Sequence, residues 1–234
     1  MKDYEIVIDE LKICFVAADK DRLNDLVNVE AGSKITIDDY TFYRVINDKF
    51  RYYFDVVEEG EQVAILKFCH YTDFENTTCY VYFKVANQIL YDKKRLVKLL
   101  GLPDMFDLVF NNYTAIDLAL DSSLNIPSLI KKMMRNKTIY TIINGKKVDN
   151  RKEVLKGVSF EYSTSLDRLN HPTVTFKQKK AIKNKMEGIT VQAYDKKSEI
   201  DNNSGKQYIL EYYGKPKRLY RLEVRLHYQE LKHP

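Results

Sequence analysis

The chain reads as an α+β protein built on a largely antiparallel sheet with flanking helices. Two features of the sequence lead there. Segments that alternate apolar and polar residues, the period of a half-buried strand, recur along its length. Helical stretches fall between groups of strands and do not follow each strand in turn, which sets the pattern apart from a regular α/β alternation.

Taken in order, Glu5–Val16 alternates and ends in a hydrophobic run, giving a first strand. Ala18–Val27 reads as a helix capped by Asp19. Lys34–Asn47 and Lys49–Val57 are strand-like, and Glu58-Glu59-Gly60-Glu61 turns the chain back into Val63–His70, a hairpin. Cys79–Val85 is a further strand. The helix Asp92–Leu100 follows and is stopped by Gly101 and Pro103. With the strand Tyr113–Asp121 these form a crossover unit. Ile126–Arg135 is a short helix with Pro127 in its first turn. Thr138–Ile143 and Val158–Ser163 read as strands, with a turn at Asn144-Gly145. The stretch Arg168–Glu187 is basic and irregular, with one strand at Thr173–Phe176. Ile189–Tyr194 is a strand running into a charged helix start, Asp201–Lys206 a loop, and Lys217–Tyr228 a long alternating strand. No fixed-period repeat or linker divides the chain. Residues 1–78 read as a strand-rich N-terminal region of the same domain, and 79–234 as the catalytic region.

The composition, 44% hydrophobic and 30% charged over 234 residues, is that of a globular chain. No apolar run reaches the length of a membrane span, and MKDYEIVIDE is not a signal peptide, so a cytoplasmic protein without a membrane partner is expected. Cys14, Cys69 and Cys79 are too widely spaced for a disulfide framework or a zinc site. Net charge is +5, and it is uneven: residues 151–234 carry 18 Lys and Arg against 10 Asp and Glu. A basic, tyrosine-containing half points to an anionic partner such as nucleic acid.

Three segments carry candidate chemistry. On Tyr113–Asp121, Ala115, Asp117, Ala119 and Asp121 share one face, and the small alanines leave room for an ion or a phosphate. On Leu219–Tyr228, Arg221, Glu223, Arg225 and His227 share a face, a carboxylate among phosphate-binding cations. Side by side, Asp117, Asp121 and Glu223 would form an oxygen-rich site for Mg²⁺ or Mn²⁺, with His227 a further ligand. Tyr194 ends its strand on the more polar face. Lys196 and Lys197 follow it, where positive charge stabilises a phenolate nucleophile. The same residues also admit structural roles: a packed tyrosine with a wet hydroxyl, a capping Asp121, and a cross-strand ion pair at Glu223. Arg168, Lys177, Lys179, Lys180, Lys183, Arg221 and Arg225 are the candidate DNA contacts.

The motif order resembles the Rep_trans-type replication initiators of rolling-circle plasmids. T-x-[IL]-D-L-A-[LF]-D is present at Thr114–Asp121 and K-T-I-[FY] at Lys137–Tyr140. [IV]-x-x-Y-[DN]-K-K-x-E follows at Val191–Glu199, and [WY]-R-[LV]-E-[VI]-x-L at Tyr220–Leu226. CYVYFKVANQILYDKKRLVKLL is similar to the strand and helix preceding the acidic strand in that family. The resemblance covers Cys79 to Tyr228. It implies a relaxase-like fold related to the His-hydrophobic-His enzymes, and a domain that nicks and rejoins origin DNA. It implies Tyr194 as the nucleophile that takes a 5′-phosphotyrosine bond, and Asp117 and Glu223, with Asp121, as metal ligands. Hairpin-bearing origin DNA, a host helicase and a second copy of the chain are the implied partners. The sequence departs from the family at Ala115, where an Arg is usual, at Arg225, where a second Glu is usual, and in an insertion at Lys177–Glu187. The family's further helical C-terminal region would follow the last strand, and this sequence stops at Pro234, soon after it. The alternatives are a non-catalytic DNA-binding regulator of the same fold, a mobilisation relaxase, and a metal-dependent nuclease using water.

If the basic tracts Arg168–Lys185 and Lys215–Arg225 contact phosphates, the logarithm of the DNA-binding constant will fall linearly with the logarithm of salt concentration. The slope on duplex should be about −0.9 for each phosphate neutralised. Anisotropy titrations from low to physiological salt measure it, and a flat response removes these tracts as a phosphate clamp.

Overall fold

The computed structural model describes residues 4–69, 78–136, 141–143, 146–148, 159–166, 172–179 and 189–227. Its strands are β1 (Tyr4–Ala17), β2 (Lys34–Ile37), β3 (Tyr40–Arg44), β4 (Tyr52–Glu58), β5 (Glu61–Phe68), β6 (Tyr80–Val85), β7 (Leu108–Ser122), β8 (Thr141–Ile143), β9 (Lys146–Val148), β10 (Ser159–Leu166), β11 (Pro172–Lys179), β12 (Thr190–Asp195) and β13 (Tyr220–His227). The helices are α1 (Asn24–Val27), α2 (Lys93–Leu100), α3 (Ile126–Arg135), α4 (Lys196–Glu199) and α5 (Gln207–Tyr212). The expected α+β class with a large antiparallel sheet is what is found: every strand pair whose register is defined runs antiparallel.

The chain forms two compact units, Glu10–Ile116 and Met1–Asp9 with Asp117–Pro234. The boundaries fall inside β1 and β7, and the expected division after residue 78 lies within the first of these units.

In the Glu10–Ile116 unit the strands follow the order β1-β6-β5-β4-β3-β2. Lys34–Asn47, expected as one strand, is a hairpin. Asp38 takes the left-handed conformation, φ 49°, and turns β2 into β3. The β4–β5 turn is as read from the sequence. Glu59 and Gly60 both have positive φ, 51° and 84°, the two-residue turn whose twist matches antiparallel strands. One sheet face is apolar and buried: Ile13, Phe83, Leu66, Phe54 and Phe42. The Phe106 ring lies edge-on to Phe42 at 5.7 Å. Asp92 caps α2 by accepting from the backbone N–H groups of Lys94 and Arg95. Arg95 and Lys98 then tie this helix to Glu58 and Glu61 at the β4–β5 turn, at 2.7–3.3 Å.

In the other unit the order is β10-β11-β12-β13-β7-β1. Val174 pairs with Ala193, and Ala193 with Leu222, so these side chains share a face. That face packs on Met134, Ile126 and Ile130 of α3. Pro127 sits in the first turn of α3, and Asn125 caps it. Gln192 and Tyr194 on β12, and Arg221 and Glu223 on β13, therefore point the opposite way. The stretch Asp201–Lys206, expected as a loop, is mostly helical. Helix α4 continues as a π-helical turn over Ile200–Ser204, because Asn202 bonds back to the Ser198 carbonyl. Gly205, at φ 65°, closes the turn with its N–H on the Ile200 carbonyl.

Phe54 is fully buried among aromatic neighbours. Phe54→Ala should destabilise the protein by about 3–5 kcal/mol. In urea the midpoint falls while the m-value holds; a midpoint within error of wild type would place Phe54 outside the core that stabilises the fold.

Candidate active site

On β7 and β13 the polar face holds the more buried side chains. Asp117, Asp121, Arg221 and Glu223 are all buried, whereas Leu118, on the opposite face of β7, is 36% exposed. Buried charges persist only when paired, and the pairing here is specific. Arg221 is fully buried and donates from Nε to Asp121 Oδ1 at 2.7 Å and from Nη2 to Oδ2 at 2.6 Å, the bidentate fork that suits a carboxylate. Its Nη1 lies 2.6 Å from Asp9 Oδ1. The Tyr213 hydroxyl, presented just after α5, donates to Asp121 Oδ2 at 3.0 Å. Arg221, expected as a DNA contact, is placed inside the fold, its charge engaged by Asp121 and Asp9.

Two residues further along β13, Glu223 meets the candidate nucleophile. The Tyr194 hydroxyl donates to Glu223 Oε2 at 2.8 Å. Arg225 donates from Nε to Glu223 Oε1 at 2.5 Å, and the same atom stands 3.5 Å from Asp117 Oδ2. One guanidinium therefore bridges two carboxylates on neighbouring strands. Thr173, Gln192, Tyr194, Asp195, Glu199, Asn203 and Arg225 line an open cleft of about 220 Å³.

The electrostatics differ from those expected of an activated phenolate. Burial is the largest influence on Tyr194 and pushes its pKa well above the usual phenol value. The Arg221 charge opposes this, and Glu223 adds to it through charge and the hydrogen bond. The phenol is held protonated, with a carboxylate positioned to accept its proton. Lys196 is buried and faces the Tyr194 ring, 5.6 Å from its centroid, while its ammonium pairs with Glu199 at 2.9 Å. Burial lowers the Lys196 pKa, and Arg221 lowers it further.

The three expected acidic ligands do not gather. Asp117 and Asp121 are four residues apart on one strand, about 13 Å, and both oxygens of Asp121 accept from Arg221 or Tyr213. Among the described residues no three His, Cys, Asp or Glu side chains could hold a metal ion together. Asp117 and Glu223 remain as a pair. They already share a cation, the guanidinium of the half-exposed Arg225. Magnesium is commonly held by one or two carboxylates, with phosphate and water completing its shell, and an ion on this pair would have to take the place of that guanidinium. His227 ends β13, and Lys177 and Lys179 lie on β11. Arg168, Lys180 and Lys183 fall outside the described residues, as does the Lys137–Tyr140 motif. Asp9 and Tyr213 were not expected in the site: each is a lone polar residue in a region without a motif, and only the fold brings them to Arg221.

No family model matches the chain, and no curated protein matches it. Among solved structures it is similar to the rolling circle replication initiator protein from Geobacillus stearothermophilus. The two are 15% identical, over 96% of this chain and 74% of that one, with a TM-score of 0.45. No helix among the described residues is long and apolar enough to cross a membrane.

Arg221→Met preserves side-chain volume but leaves Asp121 and Asp9 without their cation. It should cost about 3–5 kcal/mol. Thermal or urea unfolding of Arg221→Met beside the double variant Arg221→Met/Asp121→Leu measures this. Removing the orphaned carboxylate should restore part of the loss, and equal destabilisation of the two variants would contradict the pairing.

Proposed function

We propose that the chain is a replication initiator that nicks and rejoins one strand of origin DNA through Tyr194. The carrying observation is the hydrogen bond from the Tyr194 hydroxyl to Glu223, at the edge of an open cleft with Asp117 and Arg225 alongside. The order of the four sequence motifs supports the same reading.

In this mechanism the Tyr194 oxygen attacks the scissile phosphorus. Its proton passes to Glu223 Oε2, the atom it already touches. A phosphorus–oxygen bond forms to the tyrosine, and the bond to the sugar 3′ oxygen breaks. The departing 3′ oxygen takes a proton from water, so the 5′ side of the DNA is on the enzyme and the 3′ hydroxyl is free to prime synthesis and later to reverse the reaction. Arg225, half exposed, supplies positive charge to the phosphate. Asp117 and Glu223 would hold a Mg²⁺ or Mn²⁺ ion, whose contribution is to polarise the phosphate and offset its charge. Asp121 does not act on the ion in this reading; it anchors β13 through Arg221. Lys196 packs on the ring of the nucleophile and fixes its plane. A host helicase and a second copy of the chain are the partners this role calls for.

Tyr194→Phe removes one oxygen and keeps the ring, so the fold should survive. With a single-stranded origin oligonucleotide, wild type should give a covalent adduct on a denaturing gel and Tyr194→Phe none. Asp117→Ala and Glu223→Ala should lower nicking by at least about 100-fold while DNA binding stays within a few fold. An adduct that persists in Tyr194→Phe, or full nicking by both carboxylate variants, would refute the assignment.

A further inference from the structure

The Glu10–Ile116 unit carries 17 Asp and Glu against 13 Lys and Arg, yet one face of its sheet gathers lysines. Lys12 on β1 pairs directly across from Lys84 on β6. The adjacent cross-strand row runs Tyr82, Lys67, Tyr53 over β6, β5 and β4, a cation between two phenol rings. Lys67 lies over the Phe50 ring at 4.4 Å and 6.0 Å from the Tyr82 ring. These side chains line a hollow of about 280 Å³, with Ile65 and Thr114 in its wall. The opposite face of the same strands is the apolar core, so this face has the open side of the sheet.

The charges here are not balanced. Glu10 pairs with Lys12 at 2.7 Å and with Lys84 at 3.6 Å, one carboxylate for two cations. Among the described residues Lys67 has no carboxylate partner. Burial and the charges of Lys12, Lys84 and Lys49 all lower its pKa, so an anion in the hollow would relieve mutual repulsion. Rings interleaved with cations on an open sheet are the elements of a single-strand platform, where phosphates meet ammonium groups and unpaired bases meet ring faces. A duplex offers phosphates but hides its base faces, and an acidic peptide offers charge without rings to stack.

We propose that this face binds a single-stranded nucleic acid without sequence preference, its phosphates on Lys12, Lys67 and Lys84 and its bases against Tyr53 and Tyr82. The surface lies within residues 10–116 and uses none of the Tyr194 site, so the proposal stands or falls apart from nicking.

The test is the binding of a 16-nucleotide oligothymidylate, which contains no origin, to the full chain without divalent metal. Lys67→Ala/Lys84→Ala should reduce the salt slope by roughly 1.4, at about 0.7 for each single-strand phosphate left unneutralised. Tyr82→Ala should weaken binding by about tenfold, and Lys93→Ala/Lys94→Ala on the exposed side of α2 should change neither. Ultraviolet cross-linking of the wild-type protein, mapped by mass spectrometry, reads the contact without any substitution and should label peptides containing Tyr53 or Tyr82. Cross-links confined to residues 117–234, a wild-type salt slope in the double lysine variant, or equal competition by poly-glutamate or duplex would each overturn the proposal.

Discussion

The Arg221 guanidinium is the constraint around which the site-bearing unit is arranged. Fully removed from solvent, it has to satisfy its charge inside the fold, and it does so with Asp121 of β7 and Asp9 of β1. Such a cluster adds little net stability over an apolar core of the same shape, because desolvation offsets the Coulomb gain. What it supplies is register. A slip of β13 by one residue would turn Arg221 to the face packed on α3 and take its charge away from the buried Asp121 and from Asp9. The correct register then places Glu223, two residues on, beside Tyr194 and within reach of Arg225.

Glu223 consequently has two jobs at two oxygens. One accepts from the phenol, the other from the guanidinium that also reaches Asp117. A buried carboxylate with both oxygens engaged is well oriented, and orientation is what a proton acceptor needs. Arg225, where the resembled family usually has a second glutamate, gives the carboxylate pair a counter-charge of its own. The charge of the resting pair is thereby offset in part, one guanidinium serving two carboxylates.

Much of this was legible in the sequence where local pattern decides. Alternation marked most strands, and helix α3 was readable to the residue from Pro127 and its apolar spacing. The grouping of Asp117 with Asp121, and of Arg221 with Glu223, followed from a period of two. What alternation does not carry is which face is covered. On β7 and β13 it is Asp117, Asp121, Arg221 and Glu223 that turn inward, while Leu118 and Leu222 are the more exposed. Pattern likewise said nothing of pairing across more than two hundred residues, so Arg221 read as a phosphate binder. The Asp201–Ser204 stretch misled through composition alone. Asn and Asp favour loops, but an Asn202 bond to the backbone one turn earlier kept the helix going.

The discontinuity of the site-bearing unit bears on how the chain is made. The segment that ends at Asp9 leaves the ribosome some two hundred residues ahead of the strand carrying Arg221. Asp9 and Glu5 must wait through the synthesis of some two hundred residues for Arg221 and Tyr212, separations that make loop closure slow. Residues 10–116, contiguous and rich in neighbouring hairpins, have their pairing partners as soon as they emerge. The contact between Tyr194 and Glu223 therefore forms later than the hairpins of residues 10–116, and a nascent chain cannot hold it before the β13 strand has been translated.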